Sequence, residues 1–340
     1  MTEQTAVAAH DVSRERAGLL ALVRRVGLFV VLAVLVAGFA LAEPAFLGIG
    51  NLFSILQAVA VVAILAVGVT VTLSTGGFDL SVGSIAASSV MAASYAMVVW
   101  QLGALETVPL VLAMGVVIGL ANGLLIVRLG IPDLLATLSM MFLLAGLQLI
   151  PTGGRSISAG MIMPSGETAP GAYDPDFFWL GRARLWDTVP VPVVVMVVIA
   201  IVFWVVMERT RWGRVFYAIG GNETAAQLAG APTHSYRLTA YAISGFLAAL
   251  GGLIIASRVG RGDVSSGASL LMDSVAAALI GYAVLDARRP NVLGAVIGAV
   301  FVGILLNGLT MLNVPYYTQD FVKGAVLVGA LAVTFGLRRK

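Results

Sequence analysis

Apolar residues in this chain fall in long unbroken runs, separated by shorter stretches that hold most of its charge. Ten runs predict helices able to cross a bilayer: Val26–Ala42, Ala58–Ser74, Ser81–Trp100, Val108–Val127, Asp133–Pro151, Val189–Met207, Leu238–Ser257, Leu270–Leu285, Val292–Leu312 and Phe321–Gly336. About 20 apolar residues span the hydrocarbon core as a helix. Lipid supplies no hydrogen-bond partners, so a spanning backbone must be helical or a closed barrel. Runs that are continuous rather than alternating exclude the barrel. The predicted fold class is all-α, a polytopic membrane protein of about ten transmembrane helices with both termini on one side.

Composition agrees. The 340 residues are 59% hydrophobic and 11% charged, against roughly 45–50% and 25% in soluble domains. Basic residues decide the orientation. Arg14, Arg16, Arg24, Arg25, Arg128, Arg209, Arg211, Arg214, Arg237, Arg288, Arg289, Arg338, Arg339 and Lys340 fall on one side of the predicted topology. Only Arg155, Arg182, Arg184, Arg258 and Arg261 fall on the other, with Lys323 near that end of the last helix. The excess of Lys and Arg marks the cytoplasmic side, which places both termini inside. Basic residues scattered through short loops meet that rule and do not form a nucleic-acid surface.

The Ala40-Leu41-Ala42 end of the first run resembles a signal-peptidase site. The polar region to Arg25 is long and many spans follow, so Val26–Ala42 is expected to be retained. This gives a cytoplasmic tail, residues 1–25, and a single transmembrane domain, residues 26–340. Two long polar segments interrupt it. Residues 152–188 would be periplasmic, either a small cap facing an external partner or a connecting loop. Residues 208–237 would be cytoplasmic.

Glycines recur at helical spacing at Gly115, Gly119 and Gly123, and again at Gly294 and Gly298, while Gly245, Gly251 and Gly252 enrich another run. In lipid, small residues let helix backbones approach closely, so these glycines predict packing seams.

Enzyme chemistry is missing. There is no cysteine, and His10 and His234 form no cluster. No phosphate-binding loop of the form GxxxxGK[ST] is present, so the chain itself is not expected to hydrolyse ATP. No metal-ligand spacing, HExxH or GxSxG occurs, so no catalytic residue, metal or cofactor is expected. A carrier driven by an ion gradient needs ionisable groups at membrane depth, and Asp79, Asp273 and Lys323 are the candidates. Each also has a helix-end role: Asp79 capping the helix from Ser81, Asp273 in the first turn of its helix, and Lys323 paired with Asp320.

Within the cytoplasmic segment, Asn222 suits an N-cap, Glu223 a first turn, Gly230 the position after a helix, and Pro232 a stop. A two-turn helix with a face of small side chains follows, fit either to dock into a partner's groove or simply to connect.

Two motifs carry a resemblance. Gly220-Gly221-Asn222-Glu223-Thr224-Ala225-Ala226-Gln227-Leu228-Ala229-Gly230 resembles "lGGNeaAarlsGi" of the ribose-type permeases of bacterial ATP-binding-cassette importers, a family that includes branched-chain amino-acid permeases. Gly76-Gly77-Phe78-Asp79-Leu80-Ser81-Val82-Gly83-Ser84 is similar to its "GGIDLSVGS". Weaker similarities lie at Asn51–Gln57, Ala136–Leu138 and Tyr316–Gln319.

The resemblance implies a multi-pass inner-membrane permease subunit that works as a homodimer or heterodimer. Its partners would be two cytoplasmic ATPase subunits and a periplasmic solute-binding protein. It also implies that Asn222–Gly230 (Asn222, Glu223, Thr224, Ala225, Ala226, Gln227, Leu228, Ala229, Gly230) is the coupling helix that engages the ATPase. Asp79, Ser81 and Ser84 are nominated for the translocation path. The solute expected is a monosaccharide or related polar molecule, with a branched-chain amino acid, nucleoside or furanone signal as alternatives and an ion-gradient carrier as a different class. One departure stands out: where the family has "GGTSLxGGxG", this chain reads Gly281-Tyr282-Ala283-Val284-Leu285-Asp286-Ala287-Arg288-Arg289-Pro290-Asn291.

Overall fold

The computed structural model describes residues 29–284 and 289–336. Helix α1 (Phe29–Ala42) leads through a 3-10 turn into α2 (Ile49–Ser74), followed by α3 (Val82–Val98), α4 (Ala104–Val127) and α5 (Asp133–Leu147). A run of short elements contains α6 (Trp179–Arg182) and a two-stranded hairpin, β1 (Arg184–Leu185) with β2 (Val189–Pro190). Then come α7 (Val191–Arg209), α8 (Arg211–Gly221), α9 (Glu223–Leu228), α10 (Thr233–Val259), α11 (Ser266–Val284), α12 (Val292–Met311) and α13 (Tyr316–Gly336). Among the described residues, six helical stretches are long and apolar enough to cross a bilayer: α2, α4, Asp133–Thr152, α7, α10 and α12. Shorter apolar helices are α1, α3 and most of α11.

Helices α2, α3 and α10 form the interior. The most apolar windows of α2 and α10 are each 67% buried, against 17% for Asp133–Thr152, so α5 lies at the periphery. It buries only Ala136, Thr137, Met140 and Leu144, a single helical stripe.

The glycine seams form as expected. A methyl group added at Gly115 would collide with Ala249 and the Gly245 carbonyl, one at Gly119 with the Tyr241 carbonyl, and one at Gly245 with the Gly115 carbonyl. Backbone therefore meets backbone along the α4–α10 contact, where any larger side chain would separate the helices. Gly294 packs against Gly281, and Gly298 against Ala277, joining α12 to α11 in the same way.

Several helices run past their apolar cores. Helix α2 starts nine residues before the predicted Ala58, because its early polar groups find partners. Asn51 and Asn307 exchange amide hydrogen bonds of 3.0 and 2.9 Å, and the Ser54 hydroxyl donates to the Gly50 carbonyl. Helix α11 begins at Ser266, so the expectation that Asp273 lies in a first turn is corrected. Asp273 sits two turns inside and pairs with Lys323 of α13 at 3.1 Å. Lys323 also pairs with Asp320 at 2.7 Å, as the spacing predicts.

Residues 152–188 cover one end of the bundle. Asp174 Oδ2 accepts from the Ala104 backbone N–H at 2.7 Å, at the start of α4. Gly171 N–H donates to the Val98 carbonyl, and the Ser257 hydroxyl donates to the Phe177 carbonyl. Ile157 forms a bridge with Gly262. Helices α8 and α9 lie at the opposite end.

Candidate functional site

Thr210 starts α8, its hydroxyl accepting from the Trp212 N–H at 3.2 Å. Gly213, Phe216 and Ile219 form the buried edge of that helix. This helix is a feature that sequence reasoning missed. The spacing of 213, 216 and 219 behind a Thr cap was the available signal. Trp212, Phe216 and Tyr236 cluster through edge-to-face and tilted ring contacts and tie α8 to the start of α10.

Helix α9 has both ends defined. Asn222 Oδ1 accepts from the Ala225 N–H at 2.9 Å, and Gly230 adopts φ +86°, the left-handed conformation that glycine enters without steric cost. Of the predicted docking residues only Ala226 is buried. Thr224, Ala225, Gln227, Ala229 and Gly230 are exposed, Leu228 is 86% exposed, and Glu223 is half-buried. Leu228 is thus the large apolar side chain that this capped helix turns outward.

The two sequence motifs meet here. A methyl group at Gly220 would overlap the Ser74 carbonyl oxygen and lie 3.1 Å from the Gly76 nitrogen. At Gly77 it would lie 2.6 Å from the Tyr241 hydroxyl and 2.7 Å from Asp133 Oδ2. The α2–α3 turn is thus pressed between α8, α5 and α10, and glycine is what lets it fit. Beside it, Arg237 of α10 bridges two carboxylates: Nη1 reaches Glu223 of α9 at 3.0 Å, and Nη2 reaches Asp133 of α5 at 2.9 Å. The Thr137 hydroxyl donates to the Asp133 carbonyl at 2.8 Å and lies 3.3 Å from the Phe78 carbonyl. An open cavity of about 600 Å³ adjoins this junction, lined by Gly76, Phe78, Pro132, Asp133, Leu134 and Arg237.

Asp79 is fully buried. Its Oδ1 accepts from the Ser81 N–H (2.9 Å) and hydroxyl (2.6 Å), and Oδ2 accepts from the Ser244 hydroxyl (2.7 Å). Ser81, also fully buried, accepts from Asn122 Nδ2 at 2.8 Å. Asp79 therefore joins α3 to α10 directly and to α4 through Ser81. Ser84 is only half-buried. One turn on, Ser88 lines a largely apolar cavity of about 590 Å³ enclosed by α3, α4, α5 and residues that follow it.

At the Gly281–Asn291 departure, residues 285–288 lie outside the described residues. Arg289 pairs with Glu208 at 2.8 Å and lies 4.3 Å from the centre of the Tyr217 ring. The Tyr217 hydroxyl donates to the Pro290 carbonyl at 2.9 Å, and burial together with the Glu208 charge pushes it up to about 12. The departure thus fastens the α11–α12 connection to α7 and α8.

Residues 51–331 match the family described as branched-chain amino acid transport system / permease component. The chain belongs to that permease family. Among its permease relatives, the ribose import permease protein RbsC of Escherichia coli (strain K12) is 36% identical over 306 residues, covering 89% of this chain and 91% of that protein. The Bacillus subtilis (strain 168) protein of the same name is 34% identical, covering 91% and 92%. The L-arabinose ABC transporter permease protein AraH of Azospirillum brasilense is 32% identical, covering 96% and 92%. No solved structure matches. Both motifs that meet at the Gly76–Gly220 contact fall inside the span matched to the permease family.

Proposed function

We propose that this chain is the membrane-spanning subunit of an ATP-driven importer for a monosaccharide or related polar solute, and that α9 is its ATPase-coupling helix. The observation that carries the reading is α9 itself: capped at both ends, braced by Arg237, and turning Leu228 outward. Relatives named for ribose import and for L-arabinose transport supply the solute class. A branched-chain amino acid is the second reading, because the family description names that solute.

In this reading the ten predicted apolar runs all span the inner membrane of a bacterium, as one domain with both termini cytoplasmic. The α8–α9 end then faces the ATPase, which hydrolyses ATP in a separate chain. Residues 152–188 face a periplasmic solute-binding protein, and a second permease subunit completes the path. Of Asp79, Ser81 and Ser84, the first two fasten helices at the edge of the path. Ser84 lines it, on the α3 face that continues to Ser88 and its cavity. Asp79 is engaged by three donors and Asp273 by a lysine, which disfavours either as a proton carrier.

Cysteines at Thr224 or Gln227, in a chain that has none of its own, test the reading in native membranes. Crosslinking of either to an ATPase subunit is expected. Failure to recover any ATPase, with solute uptake by the reconstituted chain on an ion gradient alone, overturns it in favour of a carrier.

A further inference from the structure

Helix α5 is the least buried of the six long apolar stretches, yet its first residue is tied to the docking helix. Arg237 spans the gap, with one guanidinium nitrogen on Asp133 and the other on Glu223, and its side chain is 17% exposed. No other described ion pair joins α9 to a neighbouring element. At its far end α5 presents Leu144, Leu147 and Gln148 to the 590 Å³ cavity. A displacement of α9 therefore has a direct route to that cavity, through a planar fork that holds two carboxylates in fixed relation.

We infer that Arg237 is a positioning residue that makes the docking helix α9 and helix α5 move as one unit, so that ATPase movement reaches the α3–α4–α5 cavity through α5. Three structural points favour this over a merely structural ion pair. The bridge links two elements, α9 and α5, that no other described ion pair joins. Asp133 lies against Gly77, where no side chain fits, so the start of α5 cannot move without the α2–α3 turn. The single buried stripe of α5 makes it the least buried of the six long apolar stretches, and so the one that can tilt with least disturbance of the interior.

The inference rests on the coupling reading of α9, and its test separates the two. Spin labels on Leu105→Cys (α4) and Leu147→Cys (α5), both exposed, report the α4–α5 distance in the complex co-purified with its ATPase. In the otherwise unaltered chain, trapping the ATPase with ATP and vanadate is expected to shift that distance. Arg237→Ala should keep the ATPase bound and hydrolysing ATP but lose the shift. Arg237→Lys should not restore it, since an ammonium is a point charge without the fork.

Asp133→Asn and Glu223→Gln each weaken one half of the bridge and should diminish the shift separately. They decide the matter if Arg237→Ala fails to fold. A full shift in Arg237→Ala, or in both half-bridge variants, overturns the inference, as does a parent protein showing no shift. Absence of any co-purified ATPase defeats the docking reading itself, and the inference falls with it.

Discussion

Gly220 lies so close to Ser74 that a methyl group on it would overlap the Ser74 carbonyl oxygen, whereas its neighbour Gly221 faces open space. Two adjacent glycines in one helix thus carry opposite constraints. Gly220→Ala is expected to push α8 off the α2–α3 turn, costing about 1–3 kcal/mol as overpacking and weakening transport. Gly221→Ala should be neutral or slightly stabilising, since alanine suits a helix better than glycine. Thermal unfolding in detergent, run beside uptake in vesicles, compares the pair. Equal losses from both would disprove the contact.

Asp79→Ala would leave the Ser81 N–H and the Ser244 hydroxyl buried without their acceptor. At roughly 1–3 kcal/mol for each buried group left unsatisfied, a loss of about 2–6 kcal/mol is expected. Asp79→Asn keeps one carbonyl oxygen for Ser81 and should cost less, with uptake largely retained. An Asn variant that is stable yet inactive would instead point to a chemical role for the carboxylate.

Lys323 and Asp273 are 16% and 11% exposed at their side chains. Removing Lys323 strands Asp273, at a cost of up to about 3–5 kcal/mol for a buried pair, whereas removing Asp273 leaves Lys323 with Asp320 and should cost less. Lys323→Met and Asp273→Leu are each expected to destabilise the protein, with the double variant closer to the parent. A double-mutant cycle on melting temperature measures this, and strictly additive losses would show that the two charges do not interact.

Asp174 is held below the ordinary carboxylate value of 3.8 by the backbone N–H groups of Ala104 and Asp176. A lowered folded-state value means the bound carboxylate contributes fully above the ordinary value, and its contribution is lost as pH falls through the lowered one. Limited proteolysis of residues 152–188 should therefore be insensitive to pH between about 5 and 8 and rise only in stronger acid. Asp174→Ala should remove the acid-dependent step and raise cleavage at neutral pH.

The six long apolar stretches, α2, α4, Asp133–Thr152, α7, α10 and α12, are legible from their apolar runs, because lipid imposes a pattern that needs no knowledge of neighbours. Helix ends were harder to read. The polar starts of α2 and α10 form because Asn51 meets Asn307, and Arg237 meets Asp133 and Glu223, contacts between residues far apart in sequence. The cap at Asn222 and the stop at Gly230 were legible because both are local. Asp273 was misplaced for the opposite reason: its partner lies on another helix, so a reading confined to its own turn assigned it a helix-end role.

Along the α4–α10 contact, the carbonyls of Gly115 and Gly245 each occupy the space a side chain on the other would need. Such a seam has no layer of flexible side chains to re-pack, and sliding by even a fraction of a turn would drive Ala249 or Tyr241 into the opposing backbone. Shear, which works by small sideways shifts absorbed by rotamers, is closed to this pair. Opening and closing are therefore expected to leave this seam intact, with α4 and α10 kept together as one post around which the thinner-packed helices shift.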